Sequence, residues 1–150
     1  MIDKNKIFDL FGGKDENEKA GEIIMNAPKD LFESPIAKIG MFTKLIINHE
    51  VFHTKLKKFF EQEGKKPVDI QQTKEASEFT VFNRAWFYLK QIDLKNIEHF
   101  NALIDFKPEP LISALELSIS YFEKEEEYEK CAVIHEMLLM KKNLENSVPS

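Results

Sequence analysis

The sequence predicts an all-α protein, a compact bundle of about five helices with a mobile N-terminal peptide, and three observations predict it. Apolar residues recur three and four positions apart over long stretches, the spacing that lines one face of a helix. No stretch alternates with period two for long enough to make a strand. Proline, glycine and capping residues fall between the periodic stretches, where helices start and stop. Residues 1–33 read as a flexible N-terminal peptide and tether, and 34–146 as a single helical domain.

The N-terminal stretch holds one apolar cluster, Ile7-Phe8-Asp9-Leu10-Phe11, followed by the charged, glycine-bearing GGKDENEKAGE. Ser34-Pro35 then offers an N-cap and a proline at the first helical position. From there to about Glu63, Ile39, Phe42, Ile46, His49, His53, Leu56 and Phe60 form one seam, widened by Leu45, Phe52 and Phe59. Gly64 and Pro67 end this helix, and Asp69 opens a second. Its apolar lines are Phe79, Phe82, Trp86 and Leu89, and beside them Val81, Ala85, Tyr88 and Ile92. Asp93 reads as the cap of a short helix holding Leu94, Ile97, Phe100 and Ile104. Lys107-Pro108-Glu109-Pro110 breaks the chain. Two helices follow, at 111–124 and 128–144, separated by Glu125-Glu126-Glu127.

Composition narrows the function classes. A chain of 150 residues is long enough to bury a core without staples. Its 13 phenylalanines make that core aromatic-rich. Unbroken apolar runs, such as Met137-Leu138-Leu139-Met140, are far short of a membrane span. The opening residues lack the apolar centre and cleavage site of a signal peptide. A single cysteine, Cys131, excludes an internal disulfide and a cysteine-only zinc cluster. The expectation is a cytoplasmic protein with no membrane contact. Arg84 is the lone arginine among 21 basic residues, and a Lys-, Asn- and Ile-rich chain of this kind fits an AT-rich bacterial or phage genome. With one arginine and a net charge of −5, nucleic acid is not expected as the main ligand. The lysines at 55, 57, 58, 65 and 66, interleaved with Phe59 and Phe60, read as a solvated helix end.

One string points to chemistry. His49-Glu50-Val51-Phe52-His53 has the H-E-x-x-H spacing, which sets two imidazoles on one helix face beside a glutamate able to deprotonate a metal-bound water. Twenty-two residues on, Glu75 lies in KEASEF, which is similar to the third-ligand segment of thermolysin-like zinc peptidases. That resemblance implies a zinc site of His49 and His53 with Glu75, or with His135, as the third ligand. Against it, Phe52 is large where such peptidases carry a small residue, Lys55 is charged where they are apolar, and no strand precedes the motif. The residues themselves favour another reading. Both histidines lie on the buried seam of the first long helix, where they are expected to hydrogen-bond to polar groups of a neighbouring helix. No catalytic residue and no cofactor is therefore expected, with zinc on the histidine pair as the alternative.

Two further stretches resemble interaction motifs. IFDLF is similar to the sliding-clamp-binding peptides of bacterial and phage replication proteins, with Ile7 in place of their glutamine. The resemblance implies that Ile7, Phe8, Leu10 and Phe11 enter a groove on a protein partner, a replication or transcription component. Residues 111–142, above all YEKCAVIHEML from Tyr128, resemble the UVR motif, a helical hairpin that makes protein–protein contacts. There Cys131 and Ala132 stand for its two small residues and His135 for its usual arginine. The chain is thus expected to be a small non-enzymatic helical interaction protein. A zinc-binding bundle or minimal metallopeptidase, and a self-associating structural subunit, are the alternatives.

Overall fold

A computed structural model describes residues 33–64 and 67–147, and these residues form five helices and no strand. Helix α1 spans Pro35–Gln62, α2 Pro67–Leu89, α3 Ile97–Asp105, α4 Pro108–Lys124 and α5 Tyr128–Ser147. The all-α expectation holds. The proposed N-terminal peptide, with Ile7, Phe8, Leu10 and Phe11, lies outside the described residues.

Ser34 caps α1 as its sequence position implies, its hydroxyl accepting from the amide of Ala37 at 3.3 Å ahead of Pro35. The buried face of α1 is the expected seam of Ile39, Phe42, Ile46, His49, His53 and Leu56, joined by Thr43. Thr43 spends its hydroxyl on the carbonyl of Ile39 at 2.8 Å, so it enters the core without an unpaired group. Helix α1 is the central element, packing against α2, α4 and α3. It ends at Glu63-Gly64, where Gly64 adopts φ +71°, a conformation costly for any residue with a Cβ.

Three boundaries differ from the sequence reading. Helix α2 begins at Pro67 and α4 at Pro108, because a proline in the first turn loses no intrahelical hydrogen bond. Helix α3 is capped by Asn96, whose side-chain oxygen accepts from the amides of Glu98 and His99. Asp93 instead closes the preceding turn on the amide of Lys95 at 3.0 Å. Within α3 the buried residue is Leu103, while Ile97 is 68% exposed.

The core is a single cluster that every helix joins. At its centre Phe82 stacks on Tyr121, with ring centroids 4.5 Å apart and planes 15° from parallel, while Phe122 meets Phe82 edge-on. Phe79, expected on the same line as Phe82, is 67% exposed. The buried line of α2 is Glu78, Phe82, Ala85 and Leu89, four, three and four apart, which turns Phe79 outward. Glu78 tolerates that place because Lys124 donates to its carboxylate at 3.0 Å, with Lys74 4.0 Å away.

The turn between α4 and α5 is closed by the amide of Glu127 on the carbonyl of Phe122 and the amide of Glu126 on that of Glu123. Glu126 sits in it at φ 61°, the position usually given to glycine. Among the described residues, no helix is long and apolar enough to cross a membrane.

Candidate functional site

His49 and His53 are one turn apart on α1, which brings their ring centroids to 4.3 Å with the planes tilted by 53°. Both are buried, at 7% and 5% exposure. Both turn Nε2 to a single oxygen on the facing helix: Ser77 Oγ lies 2.9 Å from His49 Nε2 and 2.8 Å from His53 Nε2. The hydroxyl of Ser77 donates in turn to the carbonyl of Lys74 at 3.0 Å.

Proton inventory then assigns the tautomers. Serine has one hydroxyl hydrogen, and here it goes to Lys74, so Ser77 meets the two rings with lone pairs only. With that hydrogen on the Lys74 carbonyl, each histidine donates an Nε2–H and each Nδ1 keeps a bare lone pair. Those two Nδ1 atoms are buried and without a hydrogen-bond partner among the described residues. Burial holds both imidazoles below their ordinary pKa. For His49 the neighbouring His53 adds to the effect, and for His53 the ammonium of Lys74 does. Glu78 and Glu50 pull the other way without reversing either shift. The pair is neutral at pH 7.

This arrangement inverts the one used for nucleophilic catalysis. A serine nucleophile needs an imidazole lone pair to receive its proton; here the hydroxyl is acceptor to both rings and its hydrogen is committed to the backbone. A metal would need a lone pair from each ring, and in these tautomers the bare ones are on the buried Nδ1 atoms, while both Nε2 atoms are turned to Ser77. The third ligands suggested by the sequence lie elsewhere. Glu75 is exposed and lines a cleft of about 340 Å³ with Glu78, Phe79, Tyr121, Lys124 and Glu125. His135 is exposed on α5. Among the described residues, no group of three or more His, Cys, Asp or Glu side chains is placed to hold a metal ion.

The HEVFH string thus reads as a polar clasp between α1 and α2, in keeping with the expectation of core histidines bonded to a neighbouring helix. Ser77 is not singled out by the sequence. Its signal is weak: a small hydroxyl one position before the line of Glu78 and Phe82. Lys141 is likewise unannounced. It is 1% exposed, and its ammonium donates to the carbonyls of Ile104 and Phe106 at 2.6 and 2.5 Å, closing the C-terminus of α3. Its register holds the clue, because Cys131, Ile134, Leu138 and Lys141 follow one another at three, four and three along the buried face of α5. Cys131 is a core residue whose thiol contacts the carbonyl of Ile119 at 3.7 Å and whose pKa burial pushes up.

Of the two small residues in the UVR-like segment, Cys131 faces the hairpin partner and Ala132 faces outward. Compared with protein-family models, with curated proteins and with solved structures, the chain finds no match in any of the three.

Proposed function

We propose that the chain is a small non-enzymatic adaptor of phage or AT-rich bacterial origin. It binds a larger protein through the apolar peptide Ile7, Phe8, Leu10 and Phe11 and through the outer face of the α4–α5 hairpin. The observation that carries this reading is a stripe on α5. Tyr128, Ala132, His135 and Leu139 succeed one another at four, three and four, and all are exposed, Tyr128 at 64% and Leu139 at 47%. Large apolar groups aligned on one outward helix face suit a protein partner. The engagement of His49, His53 and Ser77 with one another supports a role at the surface over one in the interior. The likeness of IFDLF to clamp-binding peptides supports a replication component as the partner.

The reading is tested by titrating the full chain into a purified bacterial sliding clamp, beside a form lacking residues 1–12 and the double variant Tyr128→Ser, Leu139→Ser. Saturable binding lost on deletion supports the peptide, and weakening by the double variant supports the α5 face. Binding indifferent to both changes would overturn the proposed contacts, and no binding would remove the clamp as partner.

A further inference from the structure

Helix α2 carries a second outward stripe whose chemistry is nearly symmetric. Glu75, Phe79, Asn83, Phe87 and Lys90 are spaced four, four, four and three apart. At 3.6 residues per turn they fall within an arc of about 120°, the width of one helix face. Lys90 belongs to the stripe because its amide still donates to the carbonyl of Trp86 at 2.9 Å, as in a helix. Phe79 is 67% and Phe87 52% exposed, and Glu75 and Lys90 are exposed at the two ends. From either end the order runs charge, phenylalanine, amide, phenylalanine, opposite charge, with Asn83 midway between the two rings. Ala76, also exposed, adds no bulk between Glu75 and Phe79.

We propose that the chain pairs with a second copy of itself through α2, antiparallel, about a two-fold axis at Asn83. In that pairing each Phe79 packs on the partner's Phe87. Each Glu75 comes within one residue's rise, about 1.5 Å along the axis, of the level of the partner's Lys90, well inside the reach of the two side chains. A two-fold interface uses the same patch twice, so its patch must be complementary to itself when reversed. This one is. A parallel pairing would set Glu75 against Glu75 and Lys90 against Lys90, and repulsion selects against it.

Each element is available. Glu75 accepts from the side-chain amide of Gln71 at 3.2 Å and makes no ion pair among the described residues. Lys124, which shares its cleft, is committed to Glu78 at 3.0 Å. The Lys90 ammonium rests 5.4 Å from the centroid of the Phe87 ring, which holds it at the aromatic stripe. Asn83 can lie at the axis because its amide is already engaged: Nδ2 donates to the carbonyl of Phe79 at 2.8 Å, and Oδ1 accepts from Lys130 at 3.3 Å. The stripe is about 23 Å long. One helix pair of that length is smaller than a standard interface, so the dimer is weak and reversible, with a dissociation constant on the order of micromolar or above. The pairing uses the α2 stripe and none of Tyr128, Ala132, His135 and Leu139 on α5, so it stands apart from the adaptor reading.

Sedimentation equilibrium of the full chain from about 1 µM to about 1 mM tests it. The wild type is expected to show a concentration-dependent monomer–dimer equilibrium. E75K and K90E should each weaken it about tenfold, because both symmetric contacts become like-charged. An equimolar mixture of the two variants should associate more tightly than either alone, since the E75K chain and the K90E chain then present opposite charges to each other at both ends.

 In each mixed pair one chain is thus cationic at both ends of the stripe and the other anionic. F87S, which changes no charge, should remove dimerisation while leaving thermal stability nearly unchanged. A wild type that stays monomeric throughout, single charge variants that associate as it does, or a mixture that associates no better than its components would each overturn the proposal.

Discussion

Ser77 Oγ stands 2.9 Å from His49 Nε2 and 2.8 Å from His53 Nε2, one hydroxyl accepting from two neighbouring imidazoles on the opposite helix. The clasp ties α1 to α2.

Removing the shared acceptor should cost more than losing one hydrogen bond. Ser77→Ala leaves two buried Nε2–H donors unpaired, and each stranded donor costs about 1–3 kcal/mol. The expected destabilisation is about 2–4 kcal/mol by urea unfolding. His49→Ala and His53→Ala should each cost about 1–3 kcal/mol through a cavity and a lost donor. The double variant Ser77→Ala, His49→Ala should fall well short of the sum, because the two positions share one interaction. A loss below about 0.5 kcal/mol for Ser77→Ala would dissolve the clasp.

Acid should loosen the fold through the same two rings. Each has a folded-state pKa below the ordinary 6.5, so the unfolded chain takes up protons first as pH falls. The contribution is complete above pH 6.5 and is lost progressively beneath it. Each ring that stays neutral contributes about 1.4 kcal/mol per pH unit to the slope, and two give about 2.7. His53→Gln should remove one ring's share. Thermal unfolding from about pH 7.5 to about pH 5 reads the slope, and a flat profile over that window would contradict the burial of neutral imidazoles.

Lys141 predicts a local effect. Lys141→Met keeps the buried stem and deletes the ammonium that binds the carbonyls of Ile104 and Phe106. The expected cost is about 1.5–3 kcal/mol, the range for hydrogen bonds to a charged group. Hydrogen exchange should rise at the C-terminal end of α3 before it rises in α1. Uniform loss of protection would show that Lys141 acts on the whole core and not on this helix end.

Glu126 predicts a gain. It holds φ 61° in the turn joining α4 and α5, where a side chain is strained and glycine is not. Glu126→Gly should stabilise by about 0.5–1 kcal/mol, the relief of strain exceeding the extra freedom of the unfolded chain. Destabilisation would mean that the Glu126 side chain makes contacts that outweigh its backbone strain.

The helices are legible in the sequence because their burial is periodic. Ile39, Phe42, Ile46, His49 and His53 sit inside as their spacing demands, and Ser34-Pro35 starts α1 as capping chemistry predicts. Apart from the helix starts, the misreading has one cause, in that the hydrophobicity of a single side chain masks the register of its helix. Phe79 reads as core, yet the step of four, three and four through Phe82, Ala85 and Leu89 puts Glu78 there instead, with Lys124 from α4 neutralising it. Lys141, buried on α5, carries no apolar signal that would mark its place on the inner face. The partner of the histidines depends on which residue of α2 falls opposite α1, and an inter-helix register of that kind has no signature in either helix alone.

The most direct test of the clasp is the imidazole nitrogen spectrum of the intact protein, recorded by long-range proton–nitrogen correlation at neutral pH with and without added zinc. Two neutral rings are predicted, both protonated at Nε2 and bare at Nδ1, assigned by their loss in His49→Ala and His53→Ala and unmoved by zinc. An Nδ1–H tautomer in either ring, an imidazolium, or nitrogen shifts that follow the metal would contradict it and make HEVFH a site of chemistry.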